Sequence, residues 1–494
     1  MTSPSGQPGL DAATLAAWAT GRRGLDLRST EEQLARVREG QQRLRAAREV
    51  GVVYGLSTGV GALRTTAVPE TEGPETALRL WRSHAGGLGL ELDDATARAT
   101  MAIRWRQLLD GTSGVGADLV LALEQALAAG CVPRLHEYGG LGSGDLTVLA
   151  ELALTLAGEL PWRSTEGRAP APVTPSATDG LPFLSSNAAT AAFAALAADR
   201  LAGLAAVALP VAAVSYLGLR GSPEAYAAEV FAGRPGPAAD TAATLRRLLV
   251  GSPVNPARVQ DPFCLRTIPQ THGPLLDGLA EVGAAVTEEI VSARPNPLVT
   301  EAGVRHHGQF LTQRLAAALD GARAAAYPVL ALSAARVSAL QDPQLTGLPA
   351  FLAAGPPGSA GLMIVEYVAT DLLARARAIA APDTTGRVVV SLGVEEHASF
   401  SSQAALSALV LADLARDLLG VELVTGVRAA RLAPERMPVG EVGDLVARAD
   451  WAHEPTDHVL GPELRAASAL VEDLARHAAR RVGGTAPRAQ TVLE

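Results

Sequence analysis

Residues 139–152 read GGLGSGDLTVLAEL: four glycines surround Ser143, an acid follows at Asp145, and an apolar run with helical spacing begins. Glycine at 142 and 144 permits backbone angles that a side chain disfavours, so Gly142-Ser143-Gly144 can fold more tightly than an ordinary turn. Asp145 stands where a helix N-cap is expected. By spacing alone the stretch is a tight turn into a capped helix. Whether Ser143 is a spacer or a reagent depends on the residues that the rest of the chain brings with it.

The chain has 494 residues, of which 48% are hydrophobic and 4% aromatic. That length suffices for a large core and about two to four structural units. Alanine and leucine dominate the apolar residues, which favours helix. The net charge is -9 and no basic patch with interleaved aromatics occurs, which excludes nucleic acid as an expected partner. The opening MTSPSGQPGLDAATLAAW lacks the basic and apolar regions of a secretory signal, so the cytoplasm is the expected compartment. Cys131 and Cys264 are too few for a disulfide framework or a cysteine-based zinc site. All 42 basic residues are arginine. A pyridoxal phosphate enzyme needs a lysine for its internal Schiff base, so that route to amino-acid chemistry is closed, as is a lysine general base. YGLSTGVG has neither the lysine nor the glycine order of a P-loop. His306 and His307 are adjacent, diverge in any regular element and lack a spaced carboxylate partner, so no metal site is expected.

Residues 26–50 read as an amphipathic helix with Thr30 as N-cap and Glu31 and Glu32 in its first turn. A glycine-rich loop, VVYGLSTGVGALR, follows, then helical patterns around 74–110 and 115–130. Residues 164–180 are a Pro/Ser/Thr-rich connector. Residues 201–219 carry no charge and are long enough for a membrane span, but their alanine, glycine and Pro210 suit the centre of a helical bundle. Similar alanine-rich patterns at 311–337 and 407–432 imply a packed bundle, assembled between subunits. The tail from 483 to 494 is expected to fray.

Six further segments, in order, together with GSGDL (142–146), resemble the aromatic amino acid ammonia-lyase and aminomutase family. That family carries Ala-Ser-Gly-Asp-Leu ahead of a helix. VYGLSTGVG (53–61) resembles its tyrosine-bearing VYG-x-NTGFG loop, and SHAGGLG (83–89) its SHAAGVG segment. RVQDPFCLRTIPQTHG (258–273) resembles RVQDAYSLRC-PQV-G, SARPNPLV (292–299) resembles SATDNPLV, RHHGQ (305–309) resembles NFHGQ, and GVEEHAS (393–399) resembles NQEDHVS. The resemblance covers roughly residues 50–430.

The resemblance implies a mainly α fold: a long central helical bundle of the fumarase/aspartase-like type, with a smaller N-terminal region carrying the active-site loops. The expected divisions are 1–190, 191–345 and 346–494. It implies a homotetramer whose active sites draw on more than one subunit, acting on a small amino-acid substrate. It also implies a prosthetic group made from the chain itself, 4-methylideneimidazol-5-one. The nitrogen of Gly144 attacks the carbonyl of Gly142, and Ser143 supplies the exocyclic methylidene carbon. The helix beginning after Asp145 favours electron density developing on the ring oxygen.

Carried over residue by residue, Tyr54 is the base for the substrate's β-proton. A phenol near pKa 10 is a poor base at neutral pH, so the site should stabilise the phenolate. Arg266 holds the substrate carboxylate with its planar fork, and Gln260 makes a polar contact near the electrophile. His84 and Glu395 match histidine-type members and suit a polar ring such as imidazole.

Departures cluster around the electrophile. The loop is one residue short, with Gly142 in alanine's place. Phe263 replaces a tyrosine, Ser57 the asparagine of NTGFG, and Pro295 the aspartate of TDNP. Ser185, in GLPFLSSNAAT, replaces the asparagine of INGT, for which Asn187 is a candidate substitute; His306 replaces a phenylalanine. The expected activity is ammonia elimination from, or 2,3-aminomutation of, histidine or a histidine-like aromatic amino acid. Two readings stay open beside it. One is a repurposed member without the prosthetic group, acting on another carboxylate in specialised metabolism. The other is a non-catalytic scaffold.

Overall fold

The structure is a computed structural model and describes residues 10–69, 73–451 and 456–482. Residues 1–9, and the tail expected to fray at 483–494, lie outside the described residues. The fold is mainly α, as expected. Among the described residues, strands form only three two-stranded antiparallel ribbons. These pair Leu88–Glu91 with His136–Tyr138, Val132–Pro133 with Trp162–Ser164, and Leu298–Thr300 with Gly303–Arg305.

The helix expected at 26–50 runs Glu31–Val50. The Thr30 hydroxyl accepts from the Gln33 amide while the Gln33 side chain accepts from the Thr30 amide, a reciprocal capping box. The pattern around 74–110 is not one helix. It divides into Pro74–His84 and Asp94–Leu108, with the Leu88–Glu91 strand between them. Gly86, Gly87 and Gly89 interrupt the helix, and Asp93 restarts it by accepting from the Thr96 amide at 2.7 Å. The next pattern forms Ala117–Ala128. The longest helices among the described residues follow: Ala188–Gly218, Ile268–Val291, Gln313–Leu340 and Ser401–Leu432. Gly180–Gly218 and Gln313–Leu340 are long and apolar enough to cross a membrane. The apolar stretch of the first is 89% buried within the protein, which is how a core helix is used.

The chain forms two compact units. The first comprises Met1–Leu196, Val282–Ala318 and Asp383–Leu406; the second comprises Ala197–Glu281, Leu319–Pro382 and Ser407–Glu494.

The second unit contains a fully buried ion pair. Arg336 donates to Glu422 through Nε at 2.6 Å and a terminal nitrogen at 2.9 Å. Ser215 and Ser333 donate their hydroxyls to the same carboxylate at 2.7 and 2.6 Å. The remaining guanidinium nitrogen donates to the Cys264 carbonyl at 2.9 Å, and the Tyr226 hydroxyl donates to the Leu265 carbonyl at 2.6 Å. A buried pair of this kind is tolerable because every lone pair is satisfied. Its consequence is local: Arg336 and Tyr226 together fix the short helix Phe263–Arg266 by two of its carbonyls.

In the first unit the wholly buried Arg104 plays a similar part. It donates to the Phe183 carbonyl at 3.0 Å and to the Pro182 carbonyl at 2.6 Å. It also donates to Gln107 Oε1, which takes the Ser186 hydroxyl. Burial pushes its pKa down to about 9.

Asp145 precedes the helix Leu146–Leu156 at the N-cap position, but its side chain makes no capping bond there, contrary to expectation. Its carboxylate accepts instead from the Thr190 amide and the Thr190 hydroxyl, each at 2.7 Å. The Thr190 hydroxyl oxygen also meets the Ser402 hydroxyl. Burial raises the Asp145 pKa to about 6 against these hydrogen bonds. Asp145→Ala leaves the buried Thr190 amide without an acceptor and the Thr190 hydroxyl with Ser402 alone. The expected cost is about 2–4 kcal/mol, read as a lower denaturant midpoint at unchanged m-value.

Candidate active site

The Tyr54 loop shows why its glycines are there. The amide of Gly61 donates to the Tyr54 hydroxyl at 2.7 Å, and the amide of Ala62 donates to Ser391 Oγ at 2.9 Å. Gly61 has φ +55°, and a Cβ there would sit 2.2 Å from Ser391 Oγ and 3.6 Å from Glu395 Oε1. Only glycine lets the loop close on Tyr54 and on the 391–395 turn together. Ser57, where the family has asparagine, is used inside the loop: its Oγ accepts from the Val53 amide at 2.9 Å.

Tyr54 does not show the stabilised phenolate expected of it. Burial, with a contribution from Glu395, raises its pKa above the ordinary value of 10; the Gly61 amide and Arg64 act in the lowering direction. The neutral phenol is therefore the resting form.

His306 lies against this residue. Its Nε2 accepts from the Tyr54 amide at 3.1 Å, and the two rings meet edge to face at 6.5 Å. Accepting through Nε2 requires the neutral ring, and partial burial with the adjacent His307 lowers the His306 pKa accordingly. His307 Nε2 pairs with the Pro295 carbonyl at 3.0 Å.

The Gly142-Ser143-Gly144 turn is held along its length. The amide of Phe400 donates to the Leu141 carbonyl at 2.9 Å, and Gln403 Nε2 donates to the Gly140 carbonyl at 2.8 Å. Beyond the turn, the Asp145 amide donates to the Ser186 carbonyl at 2.7 Å. Gly142 and Gly144 have φ of +77° and +131°, angles that disfavour side chains. Ser143 is half-buried.

Ser185 and Asn187 are engaged elsewhere. Ser185 Oγ accepts from the Asn296 amide at 2.8 Å, and Asn187 Nδ2 donates to the Phe310 carbonyl at 2.8 Å. Asn187 Oδ1 is buried without a hydrogen-bond partner. His84 ends the helix Pro74–His84, where its Nδ1 lies 2.8 Å from the Leu80 carbonyl. A carbonyl only accepts, so Nδ1 carries the proton and Nε2 is left as an acceptor.

Tyr54, His84, Gly142-Ser143-Gly144, Asp145, Ser185, Asn187, His306 and Glu395 all belong to the first unit, whereas Gln260, Phe263 and Arg266 belong to the second. Gln260 is exposed and Phe263 is 65% exposed. The Arg266 guanidinium stacks on the Phe263 ring at 4.4 Å, and its Nε is buried without a partner. Thr312, Ser401 and Thr190, which contact the turn or its anchor, were not singled out from sequence. Small hydroxyl residues at helix starts look like ordinary caps until their partners are known.

Residues 10–449 match the family described as aromatic amino acid lyase. A histidine ammonia-lyase of Anaeromyxobacter dehalogenans is 34% identical over 469 residues, covering 89% of this chain and 92% of that protein. A solved histidine ammonia-lyase from Trypanosoma cruzi superposes with TM-score 0.84 at 25% identity, covering 97% of this chain and 94% of that one. The ergothionase of Treponema denticola shares the fold, with TM-score 0.88 at 22% identity over 94% of this chain and 97% of that one. The chain belongs to the aromatic amino acid lyase family.

Proposed function

We propose that this protein eliminates ammonia from histidine or a histidine-like aromatic α-amino acid, or moves the amino group to the neighbouring carbon. The observation that carries this reading is the Gly-Ser-Gly turn. It is pinned on both sides and precedes a helix, in a chain that matches histidine ammonia-lyases over most of its length. The residues present fit 4-methylideneimidazol-5-one: no Cβ at 142 or 144 opposes a tight ring closure, and Ser143 supplies the carbon to be dehydrated. Once formed, that group supplies an electrophilic carbon that draws electron density from the substrate.

The chain's own residues would do the rest. Tyr54 takes the β-proton, since its phenol is half-buried and held by the Gly61 amide. Arg266 binds the carboxylate, with its guanidinium plane oriented by stacking on Phe263. His84 Nε2 and Glu395 offer an acceptor and an anion for the two N–H groups of a protonated imidazole. Gln260 contributes a polar contact.

The exposed Val259, Gln260 and Phe263 support a homotetramer in which this strip completes another subunit's site. The two cysteines are free and buried, which suits a reducing cytoplasm.

Intact mass of the purified chain tests the reading directly: it should lie two water molecules below the sequence mass, and histidine should give the ultraviolet band of urocanate. Aminomutation would instead give a β-amino acid, separable by chromatography. A chain at the plain sequence mass that makes neither product would overturn the reading in favour of a repurposed member.

Because the resting phenol lies above its ordinary pKa, kcat/KM should rise with pH through the neutral and alkaline range, as the fraction of phenolate grows. Tyr54→Phe should flatten that limb and lower kcat by about 10²-fold or more. Subunit sharing predicts a third result. Tyr54→Phe and Arg266→Ala chains, each nearly inactive alone, should regain activity when co-expressed, and no recovery would place the whole site within one chain.

A further inference from the structure

The Gly142 carbonyl, the group that ring closure must attack, has three donors on its oxygen. The Thr312 amide lies at 3.2 Å, the Thr312 hydroxyl at 3.0 Å and the Ser399 hydroxyl at 2.9 Å. Thr312 and Ser399 are 3% and 0% exposed, so their hydrogen bonds act with little competition from solvent. A third hydroxyl, from the fully buried Ser401, lies 2.7 Å from Thr312 Oγ1 and 3.3 Å from Ser399 Oγ. Each hydroxyl has one proton to give. With Thr312 and Ser399 donating to the carbonyl, Ser401 donates to Thr312, and the Thr312 proton is thereby directed at Gly142. A carbonyl surrounded in this way is set to accept negative charge on its oxygen, as in an oxyanion hole.

We propose that Thr312 and Ser399 are catalytic residues for the chain's own ring closure, and that Ser401 positions Thr312. The inference rests on the reading that the turn matures. The amide nitrogen of Gly144 attacks the Gly142 carbonyl carbon, forming the N–C bond. The π pair of C=O moves onto the oxygen, where the Thr312 and Ser399 protons stabilise it. That oxygen then leaves as water, taking the amide protons of Ser143 and Gly144, and the Ser143 nitrogen forms the C=N bond. A second water carries off the Ser143 hydroxyl and its Cα proton, leaving the exocyclic C=C. Two waters are lost and nothing is oxidised.

Gly142 leaves room for these hydroxyls where they stand in this chain. A Cβ at 142 would lie 2.0 Å from Ser399 Oγ and 2.4 Å from Ser401 Oγ, at a φ of +77°. That space holds Ser399 Oγ, a donor to the carbonyl, and Ser401 Oγ. Gly142→Ala, although it restores the family residue, should therefore impair maturation.

The test is a time course of intact mass after cell-free synthesis, with circular dichroism as a check on folding. The parent and Thr312→Ser, which keeps the hydroxyl, should lose two waters at similar rates. Ser399→Ala and Thr312→Val should each slow the loss by about 10²-fold, the scale of one oxyanion donor. The double variant should stay at the sequence mass with parental helicity. Ser401→Ala, which leaves both donors in place, should mature more slowly but completely. A double variant, or a folded Ser399→Ala chain, that matures at the parental rate would overturn the proposal. A parent that itself remains at the sequence mass would refute the earlier reading of the electrophile, a separate result.

Discussion

A buried carboxylate holds the turn that matters. Asp145 gives up the capping of its own helix and binds Thr190, near the start of the helix Ala188–Gly218. Ser402, at the start of Ser401–Leu432, meets the same threonine hydroxyl. Three helix starts are thus joined at one point. A carboxylate withdrawn from water this completely is costly unless it is hydrogen-bonded, and the donors gathered around it are what make the position tolerable. Because the carbonyls of Gly140 and Leu141 are also taken, the turn between them and Asp145 has little freedom left. Folding has therefore already removed most of the conformational entropy of the Gly142-Ser143-Gly144 turn.

Each unit fixes one of its segments with a buried arginine. Arg104 in one and Arg336 in the other sit out of solvent and each donate to main-chain carbonyls, at 182–183 and at 264. Those carbonyls belong to the segments bearing Ser185 and Arg266. The planar guanidinium suits the task because its several donors diverge in fixed directions. Glu422 neutralises Arg336, whereas Arg104 has only neutral partners and a lowered pKa. The difference is one of charge compensation, not of geometry.

The departures from the family pattern become intelligible as a group. Ser185 is occupied by the Asn296 amide, Ser57 by the Val53 amide, and His306 by the Tyr54 amide. Each substituted residue braces backbone. Phe263 lacks the hydroxyl of the family's tyrosine, and its ring stacks under the Arg266 guanidinium. Asn187 turns its amide to Phe310, away from the role for which it was a candidate.

The sequence by itself determined the helical class, the Thr30 cap, the exclusion of lysine chemistry and, through ordered motifs, the family. These follow from residue type and spacing, which act over a few positions. It placed helical patterns around 74–110 without locating the strand that clustered glycines put between the two helices there, and it mistook Asp145 for a cap of its own helix. Only the tertiary structure decided that the Tyr54 pKa is raised and not lowered, because the shift depends on burial and on Glu395, more than three hundred positions away. Only it placed Thr312, Ser399 and Ser401 around the Gly142 carbonyl. Hydrogen bonds between residues so distant along the chain leave no periodic trace in it, since their geometry exists only after packing has brought the segments together.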